Sequence, residues 1–441
     1  MTDPVRACAL ECLIRIFEDK EFCDEVLDDV LPRYEDKRDR AFLDRLVMGV
    51  TERAIELDYI IDSFSKTPSR SMKPVIRHIL RMGVYQLKYM DQVPAHAAVD
   101  QAVRLTKYRG LSGLSGFVNG ILRAAARALP GPELPAREAG FVRYASVRYS
   151  VPEWIVEQLE SIYGTEQAES IFAAWEQPAP LTVRFNLSLA SEEEILSELA
   201  SEGTEAAPTG IPGVYRLSGY DSVSGIGPFT KGWLQVQDEA SALAGMAAAP
   251  RKGDLVLDLC AAPGGKSLQA ADMLRGTGHV EARDVKASKT ALIDENIARC
   301  GFKNISTRVF DATQTDPLMT GKADVVIADL PCSGLGAVRR KKDIKYRLTP
   351  EGQRELVRLQ RQILEASWQY VRPGGRLVYS TCTILPSENE ENADLILNKL
   401  PFEEEPFGGD MPAGYGGGAR QLLLPGRTDG FFIARFTRRP L

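Results

Sequence analysis

The chain has only three histidines, at positions 78, 96 and 279, so catalysis built on histidine has little material to work with. Its seven cysteines fall at 8, 12, 23, 260, 300, 332 and 382. They are odd in number and scattered, with no C-x-x-C pair. That argues against a disulfide framework and against a zinc site, and no metal is expected. No stretch approaches the ~20 apolar residues of a membrane span. The segment Met1-Thr2-Asp3-Pro4-Val5-Arg6 lacks the apolar centre of a signal peptide, so a cytoplasmic location with no membrane partner is expected. An excess of positive charge is missing too, the formal net charge being −6. This excludes a uniformly basic coat for nucleic acid, and any such surface must be a local patch. What remains is ordinary for a globular protein: 441 residues, 44% hydrophobic and 26% charged. The length suits about three domains of ~150 residues each. Composition leaves the oligomeric state open, and a monomer is expected.

The stretch that organises the chain is Leu255-Val256-Leu257-Asp258-Leu259-Cys260-Ala261-Ala262-Pro263-Gly264-Gly265-Lys266. Its apolar start has the composition of a strand buried on both faces of a parallel sheet. Pro-Gly-Gly then turns the chain into the helix-forming Ser267 to Leu274. Small residues at such a turn let a ligand approach the backbone, and the helix N-terminus offers unpaired N–H groups. Gly265-Lys266-Ser267 ends like a phosphate-binding loop, G-x-x-x-x-G-K-[ST]. The first glycine of that pattern would fall at Cys260, so this reading fails. A nucleoside site instead needs an acid about 20 residues on, at the tip of the next strand, and Asp284 follows His279-Val280-Glu281-Ala282-Arg283 there.

Residues 1–140 carry helical periodicity and no strand signal. Asp3 and Pro4 cap and open the first helix, and Val5, Cys8, Cys12 and Ile16 line one face, which makes both cysteines core residues. The block Val93-Pro94-Ala95-His96-Ala97-Ala98-Val99-Asp100-Gln101-Ala102-Val103, followed by Gly116-Phe117-Val118-Asn119-Gly120-Ile121-Leu122-Arg123, resembles the helical domain of the NusB transcription-antitermination family. The resemblance implies RNA binding by this domain, with His96 a helix-start residue in a packed turn rather than a catalyst. Residues 141–234 form linking helices, around 152–163 and 165–175, and a small α+β module. That module has strands at 181–186 and 214–217 and a helix over 192–200 opened by the Ser191/Glu194 capping box. Arg184 and Arg216 in it read as solvated surface. From 235 to 441, strands at 255–259, 279–283, 305–310, 323–329, 375–380 and 431–436 alternate with helices such as 287–299 and 349–370. This is a doubly wound α/β signature, with a glycine-rich loop over 407–420.

The residues able to do chemistry fall at strand ends, where such a sheet keeps its site. Beyond the 260–266 turn and Asp284 they are Asp311, after Val309-Phe310, then Asp329-Leu330-Pro331-Cys332-Ser333-Gly334, and Ser380-Thr381-Cys382-Thr383. Asp311 reads equally as a helix cap or as an acceptor for an exocyclic amine. A free cysteine is most often a small buried hydrophobe, but two at adjacent strand ends beside a nucleoside turn point to chemistry.

Three of these motifs, Asp-Leu-Cys-Ala-Ala-Pro-Gly-Gly-Lys at 258–266, Asp-Leu-Pro-Cys-Ser-Gly at 329–334 and Ser-Thr-Cys-Thr at 380–383, resemble the RNA cytosine-5 methyltransferases of the NOL/NOP2/Sun family. That family often carries Ala where this chain has Leu330. The resemblance implies a Rossmann-like methyltransferase domain that uses S-adenosyl-L-methionine, preceded by the NusB-like helical domain and a small RRM-like module. It implies that Cys260, Ala261, Ala262, Pro263, Gly264, Gly265 and Lys266 cradle the cofactor, that Asp284 takes its ribose and Asp311 its adenine amine. Asp329 then lies near both cofactor and base, Cys382 is the nucleophile and Cys332 assists product release. The substrate it implies is small-subunit (16S) ribosomal RNA. The alternatives are the same reaction on tRNA, or a non-catalytic RNA-binding or antitermination factor, and the presence of both Cys332 and Cys382 argues against the second. Two further expectations concern the surroundings. The basic run Val338-Arg339-Arg340-Lys341-Lys342-Asp343-Ile344-Lys345-Tyr346-Arg347 reads as a phosphate-binding patch beside the site. Because the helical block carries none of the strand-end residues, it is expected to be removable without loss of the cofactor site.

Overall fold

A computed structural model describes residues 3–128 and 131–440. The chain divides into two compact units, Met1–Gln177 with Val338–Arg347, and Pro178–Ala337 with Leu348–Leu441.

The first unit is helical throughout its described residues. Asp3 caps the helix Pro4–Phe17, its carboxylate accepting the Val5 N–H at 2.9 Å. Cys12 is fully buried in the core and Cys8 packs against it from the edge. The helices Pro74–Tyr89 and Ser115–Arg127 approach closely at Gly83, where a Cβ would stand 2.6 Å from the Leu122 side chain. His96 is exposed in the first turn of the helix Ala95–Tyr108 rather than packed.

The basic run at 338–347 is not the phosphate patch that its composition suggests. It threads into the helical unit and is largely buried there, Lys342 being 8% and Lys345 3% exposed. The Lys342 ammonium pairs with Glu52 at 2.8 Å and donates to the Trp175 carbonyl at 3.0 Å. Lys345 donates to the carbonyls of Glu52 and Tyr149, and the Tyr346 hydroxyl bonds the Glu52 carbonyl at 3.0 Å. Burial pushes Lys345 down to about 7, with the Glu52 charge opposing. Asp343 accepts the Cys23 N–H at 3.2 Å and the Arg347 guanidinium at 2.6 Å. Density of positive charge in sequence is indistinguishable from this: buried lysines are rare, but they are tolerated where a carboxylate and carbonyls replace water.

The second unit holds two sheets. The smaller is antiparallel, in the order β2-β3-β1-β4, from β1 (Leu181–Phe185), β2 (Glu205–Pro208), β3 (Val214–Ser218) and β4 (Leu234–Val236). Beside it lies the helix Glu192–Ser201, whose capping box is formed in both directions: Ser191 N–H donates to Glu194 at 2.8 Å, and Glu194 N–H to Ser191 Oγ at 3.3 Å. Arg184 is not solvated surface. It is 5% exposed, pairing with Asp272 at 2.8 Å and donating to Gln237 at 3.0 Å. Arg216 remains partly exposed, bonded to Glu239 at 2.7 Å.

The larger sheet is built from β5 (Leu255–Asp258), β6 (His279–Asp284), β7 (Ile305–Val309), β8 (Ala323–Asp329), β9 (Val371–Thr381), β10 (Phe402–Glu404), β11 (Arg420–Leu423) and β12 (Phe431–Arg438). Its order is β10-β12-β9-β8-β5-β6-β7, with β11 paired to β12. Strands β7, β6, β5, β8 and β9 are mutually parallel, and β12 runs antiparallel to β9. Val256, Leu257, Val326, Ile327, Leu377 and Val378 are buried on both faces, as their continuous apolar runs require. Strands β10 and β11, of three and four residues, are too short and too polar for periodicity to reveal.

Candidate active site

The order of the parallel strands reverses between β5 and β8, so the crevice beyond their carboxyl ends is where an open α/β sheet takes a ligand. The turn after β5 is held from both sides: Leu259 N–H donates to the Ile327 carbonyl at 3.0 Å and Ala261 N–H to the Arg283 carbonyl at 2.8 Å. Gly264 has φ +104° and starts the helix Gly265–Met273. A side chain there would be strained and would press on Ile293 at 3.2 Å, which is why this position needs glycine. Cys260 packs its partly buried side chain against the core, and burial raises its thiol above the usual value.

Three carboxylates border this turn. Asp258 is 1% exposed; its Oδ2 accepts the Ser267 hydroxyl at 2.6 Å, while its Oδ1 has no partner among the described residues. Burial pushes it up to about 7 against the Ser267 hydrogen bond and the Lys266 charge. Asp284, at the tip of β6, accepts the Ala262 N–H at 3.3 Å. Asp329, at the tip of β8, accepts Lys266 Nζ on one oxygen at 2.7 Å and the Ser380 hydroxyl on the other at 2.8 Å. Asp329 and Ser380 are register partners across β8 and β9, so the sheet itself sets this contact. Burial alone would lower the Lys266 ammonium, but Asp329 outweighs it and holds the group above the usual lysine value. Asp311, by contrast, is exposed, and its Oδ1 closes a local cap on Thr313 N–H at 2.9 Å.

The two cysteines meet. Cys332, on the loop after β8, and Cys382, directly after β9, lie with their sulfurs 3.3 Å apart. Both thiols are free and partly accessible. The hydrogen bond to Cys382, then burial, push the Cys332 thiol well above its usual value. The loop is pinned by Gly336, whose N–H donates to the Cys382 carbonyl at 3.0 Å and where a Cβ would stand 1.9 Å from the Gly430 carbonyl oxygen. Asp258, Lys266, Asp329, Ser380, Cys332 and Cys382 thus gather at or just beyond the carboxyl ends of β5, β8 and β9. Ser380 and Ser267 were legible only as motif neighbours. Gly336 escapes sequence reasoning altogether, because its role depends on two loops meeting.

A five-stranded parallel core with strand-order reversal at a glycine turn, flanked by one antiparallel strand, defines a Rossmann-like methyltransferase domain. The profile of the 16S rRNA methyltransferase RsmB/F family matches residues 245–437, that of the NusB family residues 3–127, and that of the ferredoxin-like domain of RsmF/B-like methyltransferases residues 151–219. A probable ribosomal RNA small subunit methyltransferase B of Bacillus subtilis (strain 168) is 35% identical over 99% of both chains. A ribosomal RNA small subunit methyltransferase B of Klebsiella pneumoniae (strain 342) is 30% identical over 99% of this chain and 98% of its own. Among solved structures, that of PH0851 covers 99% of both chains at 25% identity with a TM-score of 0.83. A methyltransferase homologue from Pyrococcus horikoshii is 26% identical, covering 67% of this chain and 97% of its own, with a TM-score of 0.58. The chain belongs to the RsmB/F family of 16S rRNA methyltransferases. The expected fold, a helical NusB-like domain, a small α+β module and a Rossmann-like catalytic domain, is the one observed.

Proposed function

We propose that this protein transfers a methyl group from S-adenosyl-L-methionine to carbon 5 of a cytosine in 16S rRNA, through a covalent bond between Cys382 and the base. The observation that carries the reading is the pair of free thiols 3.3 Å apart beside the Lys266–Asp329 ion pair. The residues fit the cofactor: Asp258 Oδ1 is a buried acceptor with no donor among the described residues, and the Gly264–Gly265 turn leaves the helix N-terminus open to a close ligand. Cys260 to Lys266 form the cradle, Asp284 takes the ribose hydroxyls, and Asp311 takes the adenine amine with the oxygen its cap leaves free. When bound, S-adenosyl-L-methionine supplies an electrophilic methyl group.

Carbon 5 of cytosine is too electron-poor to attack a methyl group unaided. The Cys382 thiolate adds to carbon 6, which makes carbon 5 an enamine nucleophile. Asp329, oriented by Ser380 and Lys266, faces the N3 and amino edge and favours the addition. After transfer, Cys332 as a thiolate takes the carbon-5 proton while the carbon–sulfur bond breaks, its electron pair returning to Cys382 as the thiolate. The target base leaves its stack to reach this crevice. A cytoplasmic location follows from the ribosomal substrate. Among the described residues no helix is long and apolar enough to cross a membrane.

The decisive experiment is incubation with methyl-labelled S-adenosylmethionine and unmodified total RNA, followed by mapping of the label. Label on carbon 5 of a cytosine in 16S rRNA is expected. Label on a purine overturns the chemistry, and label on tRNA overturns the substrate. A second measurement addresses the cofactor site. Asp284→Ala is expected to weaken S-adenosylmethionine binding by about 1.5–3 kcal/mol, the worth of a hydrogen bond to a charged group. Thermal unfolding should be little altered, and calorimetry with unchanged affinity removes Asp284 from the site.

A further inference from the structure

Cys332 and Cys382 come from separate loops, and parallel strand pairing alone does not fix where two loop side chains lie. The fixing is done by two consecutive residues on the turn that precedes the helix Glu390–Lys399. Glu388 is fully buried, and its carboxylate accepts the Ser333 N–H at 2.9 Å and the Gln360 amide at 2.9 Å. The same Gln360 amide donates to the Pro331 carbonyl at 2.8 Å. Both neighbours of Cys332 are therefore held by one carboxylate–amide pair. Asn389, also fully buried, does the equivalent for Cys382: its amide donates to the Thr383 carbonyl at 3.0 Å, and its oxygen accepts the Thr381 hydroxyl. Asn392 completes the frame, donating to Gln360 Oε1 at 2.8 Å and to the Tyr379 hydroxyl at 3.0 Å. A Ser333–Thr383 hydroxyl contact at 2.7 Å joins the two loops directly.

We infer that Glu388 and Asn389 are positioning residues that set the separation of the two thiols, Glu388 together with the Gln360 amide holding both neighbours of Cys332 and Asn389 bonding both neighbours of Cys382. This deepens the covalent reading and rests on it for its catalytic consequence, but the thiol separation can be measured without any reaction. The test uses the full-length protein and two single variants. Glu388→Leu removes the one carboxylate oxygen that accepts both the Ser333 N–H and the Gln360 amide. Asn389→Asp keeps the acceptor for Thr381 but sets an oxygen against the Thr383 carbonyl. Diamide, which oxidises two adjacent thiols to a disulfide while being reduced to the hydrazide, serves as a ruler on protein free of RNA and cofactor. Mass spectrometry then reads the Cys332–Cys382 link.

Cross-linking is expected to slow at least ~10-fold in each variant, and kcat to fall about 100-fold, the cost of displacing a reacting group by about 1 Å. KM for S-adenosylmethionine should stay unchanged. As a rescue, Glu388→Gln, whose amide oxygen can still accept both donors, should return the cross-linking rate to near wild type. The exposed neighbour variant Glu391→Gln should behave as wild type. Wild-type cross-linking rates in both single variants overturn the inference. Slowed cross-linking in a protein that never methylates cytosine keeps the inference and overturns only the covalent reading.

Discussion

Cys382→Ala is expected to abolish methylation and covalent attachment together, whereas Cys332→Ala should join the protein to its RNA. No other thiol stands where Cys382 does, so its loss leaves carbon 6 without a nucleophile. Removing Cys332 spares the attack and the methyl transfer but takes away the group that assists breakdown. The adduct then persists through denaturation and runs as a slow band on a gel with labelled RNA. Family resemblance alone orders the two roles in the sequence. The geometry brings the two sulfurs into direct contact, where one can add to the base and the other act on the adduct. Loss of the second thiol should also cost little fold stability, since the loop is held by Ser333, Gln360 and Gly336 and not by Cys332 itself. A stable band from Cys382→Ala, with Cys332→Ala inactive and unlinked, reverses the assignment. Activity in both variants overturns covalent catalysis by this pair.

The parts of this protein legible in sequence are those whose cause is local. The run at 255–258, the glycine at 264 and the capping box at Ser191 each act within a few residues, and each forms as its pattern requires. Strand-end placement brought Asp284, Asp329 and Cys382 into view for the same reason: a strand that delivers an acid or a thiol into a turn is a local pattern. Positions whose role is set by a distant neighbour stayed hidden. Arg184 looks like one polar residue on a strand, and the distant Gln237 and Asp272, the latter 88 positions on, make its burial tolerable. Glu388 and Asn389 sit in an unremarkable polar run, Ser387-Glu388-Asn389-Glu390. Their meaning lies in the loops at 331–333 and 381–383 that they hold. Lys342 and Lys345 misled most, because charge density is a statement about composition, and whether a lysine meets phosphate or carboxylate is a statement about the fold.

The same ten residues change what should follow from removing the helical block. Deleting residues 1–140 was expected to spare the cofactor site, since none of the strand-end residues lies there. The segment 338–347, however, leaves the catalytic unit at Ala337 and rejoins it at Leu348, and in between it is part of the helical unit. The deletion removes Glu52, which pairs with Lys342 and receives the Lys345 and Tyr346 donors, and it removes the Cys23 N–H bonded to Asp343. Stripping one partner from a buried ion pair costs about 3–5 kcal/mol. Each buried donor left unmet adds about 1–3 kcal/mol, unless the segment moves out to water. Moving out exposes Val338, six residues after Cys332, together with Phe22's stacking partner Arg347 and the apolar stems of both lysines. The plain deletion is therefore expected to give insoluble protein. Removing residues 1–177 and replacing 338–347 by a short glycine–serine linker should instead give a soluble unit that binds S-adenosylmethionine with near wild-type affinity in calorimetry. Because Cys332 lies so near the splice, this unit should still show the diamide cross-link to Cys382 if the Glu388 and Asn389 clamps suffice to hold the loop. A soluble plain deletion with full cofactor affinity shows that 338–347 can leave the helical unit freely, and that its buried lysines report packing without dependence.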